Sequence, residues 1–203
     1  MAVPGWVNLL SPFARRSKLW VVKNLILVGF MGSGKTCVGR HAARKLDFQF
    51  IDTDELIERR MGRTVIDIFA RYGETFFRDL EKHVMRELAG RSRLVIATGG
   101  GAVIADENWG SWRRNGIIIL LQVDAETAHQ RTRHHTHRPL LQGTDALVNI
   151  KNLLGQRAAR YAKADDAVDT VGRTCDEVVQ IVLKKYEEHA ARAARLRSST
   201  KEK

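Results

Sequence analysis

The sequence predicts an α/β fold in which a parallel sheet lies between two layers of helices. Short apolar runs that favour strands alternate with longer segments that carry apolar residues at helical spacing. Parallel neighbouring strands need a crossover connection, and a helix usually provides it. Three motifs rich in glycine or aspartate each follow a predicted strand. Because the carboxyl ends of parallel strands meet at one edge of a sheet, we expect the three motifs to form one site.

The first predicted strand and helix flank a glycine-rich loop. The apolar run 25–28 ends at Gly29, and the pattern G-x-x-x-x-G-K-[ST] follows with Gly34, Lys35 and Thr36. Backbone N–H groups of such a loop can surround phosphate oxygens, while the lysine reaches the β- and γ-phosphates and the threonine hydroxyl can bind Mg²⁺. An ordinary glycine-rich turn is the weaker alternative, because strand, loop and helix occur together. The pattern predicts nucleotide binding.

The second predicted strand, 48–51, ends in two carboxylates, Asp52 and Asp54. Residues two apart at a strand end point to the same side. One carboxylate near Mg²⁺ and one facing an acceptor hydroxyl would be a sensible division of roles. The alternative is that one of them caps the following helix, since aspartate favours the N-cap position. The two roles are compatible.

Helices are predicted on both sides of Gly62 and again after Gly73, and the third strand, 94–97, leads to the glycine run 99–101. Three consecutive glycines are costly in conformational entropy. They indicate close approach of the backbone to a ligand, with N–H groups presented to it. Arg78 lies among apolar neighbours on a helix and is a candidate for anion recognition, with a surface salt bridge as its alternative.

The second half of the chain supplies two more strands and a polar flap. The strongest strand pattern covers 117–123, and after a helix the stretch 134–143 is polar and is expected to form a loop. A helix is predicted at about 146–164, and its Arg157 is a second candidate for binding a carboxylate. For Arg157, as for Arg78, a surface salt bridge is the alternative, and for either arginine taken alone it is the favoured one. A last strand at 167–170 precedes the long closing helix. That helix begins at a capping box of Thr174 and Glu177.

The net charge of +11 is concentrated at the ends of the chain. Residues 1–24 carry four basic residues and no acid, and residues 184–203 carry seven basic and three acidic residues, so the ends supply +8 of the total. A nearly balanced middle argues against a dedicated nucleic-acid site. Solvated, partly disordered ends are the favoured interpretation.

Composition and cysteine content also indicate the cellular compartment in which we expect this protein. No apolar run approaches the roughly 18 residues of a membrane span, and the first 18 residues lack the pattern of a secretory signal. Cys37 and Cys175 fit no metal or disulfide framework, which predicts two thiols in a reducing compartment. We therefore expect a cytoplasmic protein, without membrane contact and monomeric.

Taken together, the motifs resemble those of the shikimate kinase family. The matching residues occur in order between about Asn24 and Glu188, and they are Gly29 to Thr36, Asp52-Thr-Asp54, Phe77-Arg78, Gly99-Gly-Gly-Ala-Val103, Arg138-Pro-Leu-Leu141 and Arg157. The resemblance implies a three-layer α-β-α P-loop fold, nucleoside-monophosphate-kinase-like, with a five-stranded parallel sheet in the order 2-3-1-4-5. It also implies a mobile lid at about 126–143. The domain would span 24–189, between a basic extension, 1–23, and a basic tail, 190–203.

The resemblance further implies ATP, Mg²⁺ and shikimate as ligands, with phosphoryl transfer to the 3-hydroxyl of shikimate. The residues expected to hold ATP are Gly32, Ser33, Gly34, Lys35, Thr36, Cys37, Arg131, Arg138 and Arg173. Those expected to bind shikimate are Asp54, Arg78, Gly99, Gly100, Gly101 and Arg157. Thr36 and Asp52 would hold Mg²⁺, and Lys35, Asp54 and Arg138 would act in the chemistry.

Several features depart from the family's pattern. Cys37 stands where the family usually has threonine, and residues 172–175 lack the Asn-Pro often found in the adenine loop. The expected lid carries His134, His135 and His137, for which metal binding is the alternative to a solvated flap.

Two other functions stay open at this point. One is a different small-molecule kinase on the same scaffold, such as a gluconate kinase. The other is a non-catalytic, shikimate-kinase-like regulator or polyanion-binding protein that uses the basic ends. The Asp-Thr-Asp motif and the glycine run favour shikimate over gluconate. Catalysis is favoured because the expected catalytic and metal-binding residues are all intact, namely Lys35, Thr36, Asp52, Asp54 and Arg138.

Overall fold

The computed structural model describes residues 23–133 and 145–200, with side chains described to residue 195. Its strands are β1 (Asn24–Val28), β2 (Gln49–Asp52), β3 (Leu94–Ala97), β4 (Gly116–Gln122) and β5 (Asp166–Asp169). They form one sheet in the order β2-β3-β1-β4-β5, and every neighbouring pair is parallel. The predicted strand order is confirmed.

Helices connect the strands and cover both faces of the sheet. They are α1 (Lys35–Leu46), α2 (Thr53–Met61), α3 (Val65–Ala89), α4 (Asp106–Asn115), α5 (Ala125–Thr132), α6 (Ala146–Tyr161) and α7 (Cys175–Thr200), with a short 3-10 turn at Ala102–Ile104. The predicted boundaries differ from these by a few residues. The expected break at Gly73 is present inside α3, where that residue has φ 80° and ψ 171°.

The alternation of side chains along the strands explains the three layers. Ile26 and Val28 of β1 belong to a core that contains residues of α2, α3 and α4, whereas Leu25 and Leu27 belong to a second core with α1 and α7. Successive residues of a strand point to opposite faces, so one apolar strand supplies both cores. The central strands β1 and β3 are buried along their whole length.

The closing helix begins as predicted and extends further than the expected domain. The Oγ1 of Thr174 accepts the N–H of Glu177 at 3.3 Å, and the Glu177 carboxylate accepts the Thr174 N–H at 2.8 Å. This reciprocal pair is the capping box. Helix α7 then continues past residue 189 to Thr200, so the expectation of a partly disordered end is wrong for residues 190–200. Within 23–133 and 145–200, no helix has the length and apolar character needed to cross a bilayer.

The two cysteines correct one expectation from the sequence. The structure joins Cys37, in the first turn of α1, to Cys175, the first residue of α7, in a disulfide. The prediction of two separate thiols is therefore wrong. The residues are 138 apart in the sequence and form no spacing pattern. Only the packing of α1 beside α7 on one face of the sheet brings them together.

Candidate active site

The glycine-rich loop lies between the end of β1 and the start of α1, as the motif requires. Gly34 adopts φ 90° at the N-cap of α1, a left-handed conformation that side chains disfavour. No side chain caps this helix end, and its first turn carries no acidic residue. The helix therefore offers backbone N–H groups and a positive dipole end to an anion.

Lys35 lies over the same loop. Its ammonium group donates hydrogen bonds to the carbonyls of Gly29 and Phe30, each at 2.9 Å, and lies 3.4 Å from Ser33 Oγ. These contacts tie both ends of the loop to one cation. The positive charge is thus placed at the loop, where terminal phosphates of a nucleotide would bind.

Thr36 and Asp52 bring two oxygen ligands together beside the loop. The Thr36 hydroxyl donates to Oδ2 of Asp52 at 2.9 Å. Oδ1 of Asp52 accepts the N–H groups of Asp54 at 3.1 Å and Glu55 at 3.4 Å, so Asp52 also caps α2. The metal and capping interpretations are therefore compatible in one residue. A hydroxyl and a carboxylate next to a phosphate loop fit the oxygen preference of Mg²⁺.

Gly99 makes space for two carboxylates. A Cβ atom at this position would lie 2.7 Å from Oε1 of Glu81 and closer still to Oδ1 of Asp54. The Gly99 N–H donates to Oγ1 of Thr53 at 2.9 Å. The expectation that this N–H is presented to a ligand is therefore wrong, because the folded chain already uses it. Gly99 is needed here because it has no side chain.

Arg78 lies against the last glycine of the run. A Cβ atom at Gly101 would lie 2.6 Å from the guanidinium carbon of Arg78. The Arg78 side chain is 19% exposed and pairs with Glu74 at 2.9 Å and with Glu81. Burial lowers the pKa of Arg78, but Glu81 and Glu74 together raise it above the usual value. Arg78 stays a cation at the edge of the site.

Glu81 also belongs to the site, although no sequence motif indicates it. It is 1% exposed, and burial is the main reason that its pKa rises to about 7, while Arg78 acts in the opposite direction and Asp54 adds to the rise. In the described part of the chain, its Oε1 accepts no hydrogen bond. The available signal was its spacing, because a residue three positions after Arg78 lies on the same helix face.

Arg157 reaches the glycine run from α6. It is 8% exposed, and its Nη1 donates to the Gly100 carbonyl at 3.0 Å. Its guanidinium carbon lies 5.6 Å from the ring centre of Phe30, a residue of the phosphate loop. The surface salt bridge considered as the alternative is wrong for Arg157, since the residue is buried.

Arg131 links the phosphate loop to the loop after β5. It donates to the Gly32 carbonyl at 3.2 Å and to the Thr170 carbonyl at 2.8 Å. Arg173 lies exposed in that second loop. Arg131 therefore joins the phosphate loop to the loop that carries Arg173, and the role of both arginines beside adenine stays a prediction. Arg138 and most of the expected lid lie outside the described residues, so their roles stay predictions.

A continuous set of contacts connects these groups. Asp52 contacts Thr36, Gly99 bonds Thr53 and Gly100 bonds Arg157. The three motifs that follow β1, β2 and β3 therefore meet at the carboxyl edge of the sheet, as predicted.

A model of the family described as shikimate kinase matches residues 31–187. The chain belongs to the shikimate kinase family. Its relatives include a shikimate kinase of Thermodesulfovibrio yellowstonii, 43% identical over 166 residues, which covers 82% of this chain and 96% of that protein. A shikimate kinase of Gloeobacter violaceus is 48% identical over 150 residues, covering 73% and 84% respectively.

Solved structures of shikimate kinases have the same fold as this chain. The shikimate kinase from Acinetobacter baumannii in complex with shikimate has a TM-score of 0.80 at 37% identity, covering 84% of this chain and 96% of that one. A gluconokinase from Sinorhizobium meliloti 1021 has a TM-score of 0.53 at 17% identity. The second likeness reflects the shared fold alone and gives no support to a gluconate acceptor.

Proposed function

We propose that this chain transfers the γ-phosphoryl group of ATP to the 3-hydroxyl of shikimate, giving shikimate 3-phosphate and ADP on the route to chorismate. The observation that carries the proposal is the placement of Arg78 and Arg157 on one glycine run, next to Asp54 and the phosphate loop. Two buried or half-buried guanidinium groups suit a carboxylate, because each can donate two parallel hydrogen bonds.

The nucleotide would bind across the phosphate loop. Backbone N–H groups of residues 32–37 would hold the phosphates, and Arg131 and Arg173 would flank the adenine. Thr36 and Asp52 would hold Mg²⁺, which neutralises charge on the phosphates when it is bound. Asp52 is prepared for this role, since capping of α2 fixes one of its oxygens and directs the other to Thr36.

Shikimate would bind between the glycine run and the two arginines. Arg78 and Arg157 would bind its carboxylate, Asp54 its hydroxyls, and the backbone of Gly100 a further hydroxyl. Gly99 and Gly101 contribute by lacking side chains, because a Cβ atom at either position would displace Asp54, Glu81 or Arg78. Glu81 holds Arg78 in position through their ion pair.

The chemistry then depends on alignment and on positive charge. Negative charge spreads over the equatorial oxygens of the transferred group, and Lys35 and Arg138 would stabilise it. Asp54 would orient the 3-hydroxyl and accept its proton as the bond to phosphorus forms. Closure of the lid would exclude water and so limit hydrolysis of ATP.

An acceptor panel tests the proposal. ADP release is measured with Mg²⁺ and ATP in the presence of shikimate, of gluconate, and of no acceptor. We expect turnover that depends on shikimate, and none above background with gluconate. Turnover with gluconate alone would identify the other kinase. Absence of turnover, together with a salt-sensitive gel shift that is lost when both ends are trimmed, would favour the polyanion-binding protein.

We also propose a monomer without a nucleic-acid partner that acts in the cytoplasm, where the Cys37–Cys175 pair would be held as thiols rather than as the disulfide of the structure. Most of the excess positive charge lies outside the family match, which argues against a nucleic-acid site in the domain. Light scattering of the purified chain would check the mass of the particle. A dimer whose interface contributes a residue to the site would contradict the monomer.

A further inference from the structure

Three side chains that ligate soft metals meet where α1 contacts α7, and the proposed reaction uses none of their side chains. They are Cys37, His41 and Cys175, and one ligand atom from each lies within 4.8 Å of the others. Nδ1 of His41 lies 3.3 Å from Sγ of Cys175 and 3.8 Å from Sγ of Cys37. The cluster is accessible, since Cys37 is exposed and the other two are half-buried.

These distances match a tetrahedral zinc geometry. With Zn–S of about 2.3 Å and Zn–N of about 2.0–2.1 Å, ligands around one ion lie about 3.5–3.8 Å apart. Both distances from His41 to sulfur lie at or near that range. Two thiolates and one imidazole also form a soft donor set that favours zinc over magnesium.

Cys37 and Cys175 would form the disulfide when oxidised and ligate the metal ion when reduced. In the structure the two sulfurs are bonded. Reduction by a phosphine in water breaks the S–S bond, gives two thiols and oxidises the phosphine to its oxide. A divalent ion that then binds both sulfurs displaces the two thiol protons into solvent. Only the sulfur atoms must separate, because His41 is already within reach of both.

We propose that in the reduced protein Cys37, His41 and Cys175 bind one zinc-class divalent ion, with water in the fourth position. The ion would join the first turn of α1 to the start of α7. Cys37 directly follows Thr36, and Cys175 begins α7 directly after the loop that carries Arg173. The site therefore links the phosphate loop to the loop expected beside adenine. It is separate from the Mg²⁺ pair of Thr36 and Asp52, whose ligands are both oxygen.

Cobalt is the probe, because a thiolate bound to Co²⁺ gives a charge-transfer absorption that oxygen and imidazole ligands do not give. The full chain, reduced with a phosphine, is titrated with Co²⁺ and then with Zn²⁺. We expect one Co²⁺ per chain with the thiolate band, and loss of the band as Zn²⁺ replaces it. Cys175→Ser should lose most of the band, and His41→Ala should weaken binding by at least about a hundredfold, because loss of a mere outer-shell partner of a ligand already costs up to that much.

Two controls keep the outcome decisive. The oxidised wild-type chain needs no substitution and should show no thiolate band, because its sulfurs are bonded to each other. His83→Ala removes an exposed histidine on α3 and should leave the titration unchanged.

Lack of a band in the reduced wild type, or an equal band in the oxidised chain, would overturn the proposal. So would cobalt binding without a thiolate band, which would assign the ion to histidines elsewhere, such as those at 134–137.

Discussion

Arg78 forms an ion pair with Glu81 one turn further along α3, and the Glu81 side chain is 1% exposed. A buried carboxylate has little freedom to move, so it fixes the guanidinium that contacts Gly101. Glu74 also pairs with Arg78, but its side chain is 61% exposed. Glu81 should therefore fix the position of Arg78 more strongly than Glu74 does. Substituting each glutamate in turn can separate the two contributions.

Glu81→Gln should weaken shikimate binding. The substitution removes a charged hydrogen bond worth about 1.5–3 kcal/mol, which corresponds to an increase of tenfold to about a hundredfold in KM for shikimate. The KM for ATP should change little, because the ion-pair partner of Glu81 is Arg78, a residue assigned to shikimate and not to ATP. The measurement is steady-state kinetics with each substrate varied in turn.

Glu74→Gln is the matched control, because it alters the exposed partner of the same arginine. An exposed pair is worth up to about 1 kcal/mol, so KM for shikimate should rise by no more than about fivefold. Equal effects of the two substitutions would show that burial of Glu81 does not position Arg78.

Glu81 should also make the folded state less stable as the pH rises. Its pKa is about 7 in the folded chain and near the ordinary glutamate value of 4.5 in the unfolded chain, so the folded chain binds the extra proton in this interval. The free energy of unfolding therefore falls by on the order of 3 kcal/mol between pH 4.5 and 7. Above pH 7 it levels off. Urea unfolding at a series of pH values measures the change. Glu81→Gln should flatten the curve, and a variant as steep as the wild type would assign the slope to another group.

Gly101→Ala should displace Arg78, because the new Cβ atom would lie 2.6 Å from its guanidinium carbon. We expect KM for shikimate to rise at least tenfold, in line with the loss of one charged contact. Gly110 in α4 has open space around it, so Gly110→Ala is the control and should stabilise the chain by about 0.5–1 kcal/mol with unchanged kinetics. An unchanged KM in Gly101→Ala would mean that Arg78 does not bind shikimate from its present position.

The fold was more predictable than the site, for a physical reason. Strand and helix periodicity is local, so the five strands, the break at Gly73 and the capping box at Thr174 were all predictable from short stretches. The order of the strands is not local, and it came from the family resemblance. It depends on which strands pair, and here β1 lies between β3 and β4.

The features that were missed all depend on contacts between distant segments. Glu81 has no distinguishing feature in the sequence, because Asp54 and Gly99 lie next to it only in the folded chain. Cys37 and Cys175 meet only because α1 lies beside α7. The glycine run was correctly expected to allow a close approach, but what approaches Gly99 is a pair of carboxylates of the chain itself. Sequence spacing therefore indicates local motifs, whereas the residues that support those motifs depend on contacts that form only in the folded chain.

Asp54→Asn tests the proposed base. The amide keeps the size of the side chain beside Gly99 but cannot accept the proton of the 3-hydroxyl. We expect kcat to fall on the order of a hundredfold or more, the usual effect of losing a general base. Binding of ATP, followed by fluorescence or calorimetry, should persist. Near-normal turnover would remove Asp54 from the chemistry.

Asp52→Asn should separate the two roles of Asp52. Asparagine caps a helix as well as aspartate does, so the free energy of unfolding should change by no more than a few tenths of a kcal/mol. An amide is a weaker ligand for Mg²⁺ than a carboxylate, so the Mg²⁺ concentration needed for half-maximal turnover should rise about tenfold. Asp52→Ala loses the cap as well and should cost about 1 kcal/mol more in stability. If both variants lost the same stability and needed the same Mg²⁺ as the wild type, Asp52 would only be the N-cap of α2, and the bond from Thr36 would serve to orient that cap.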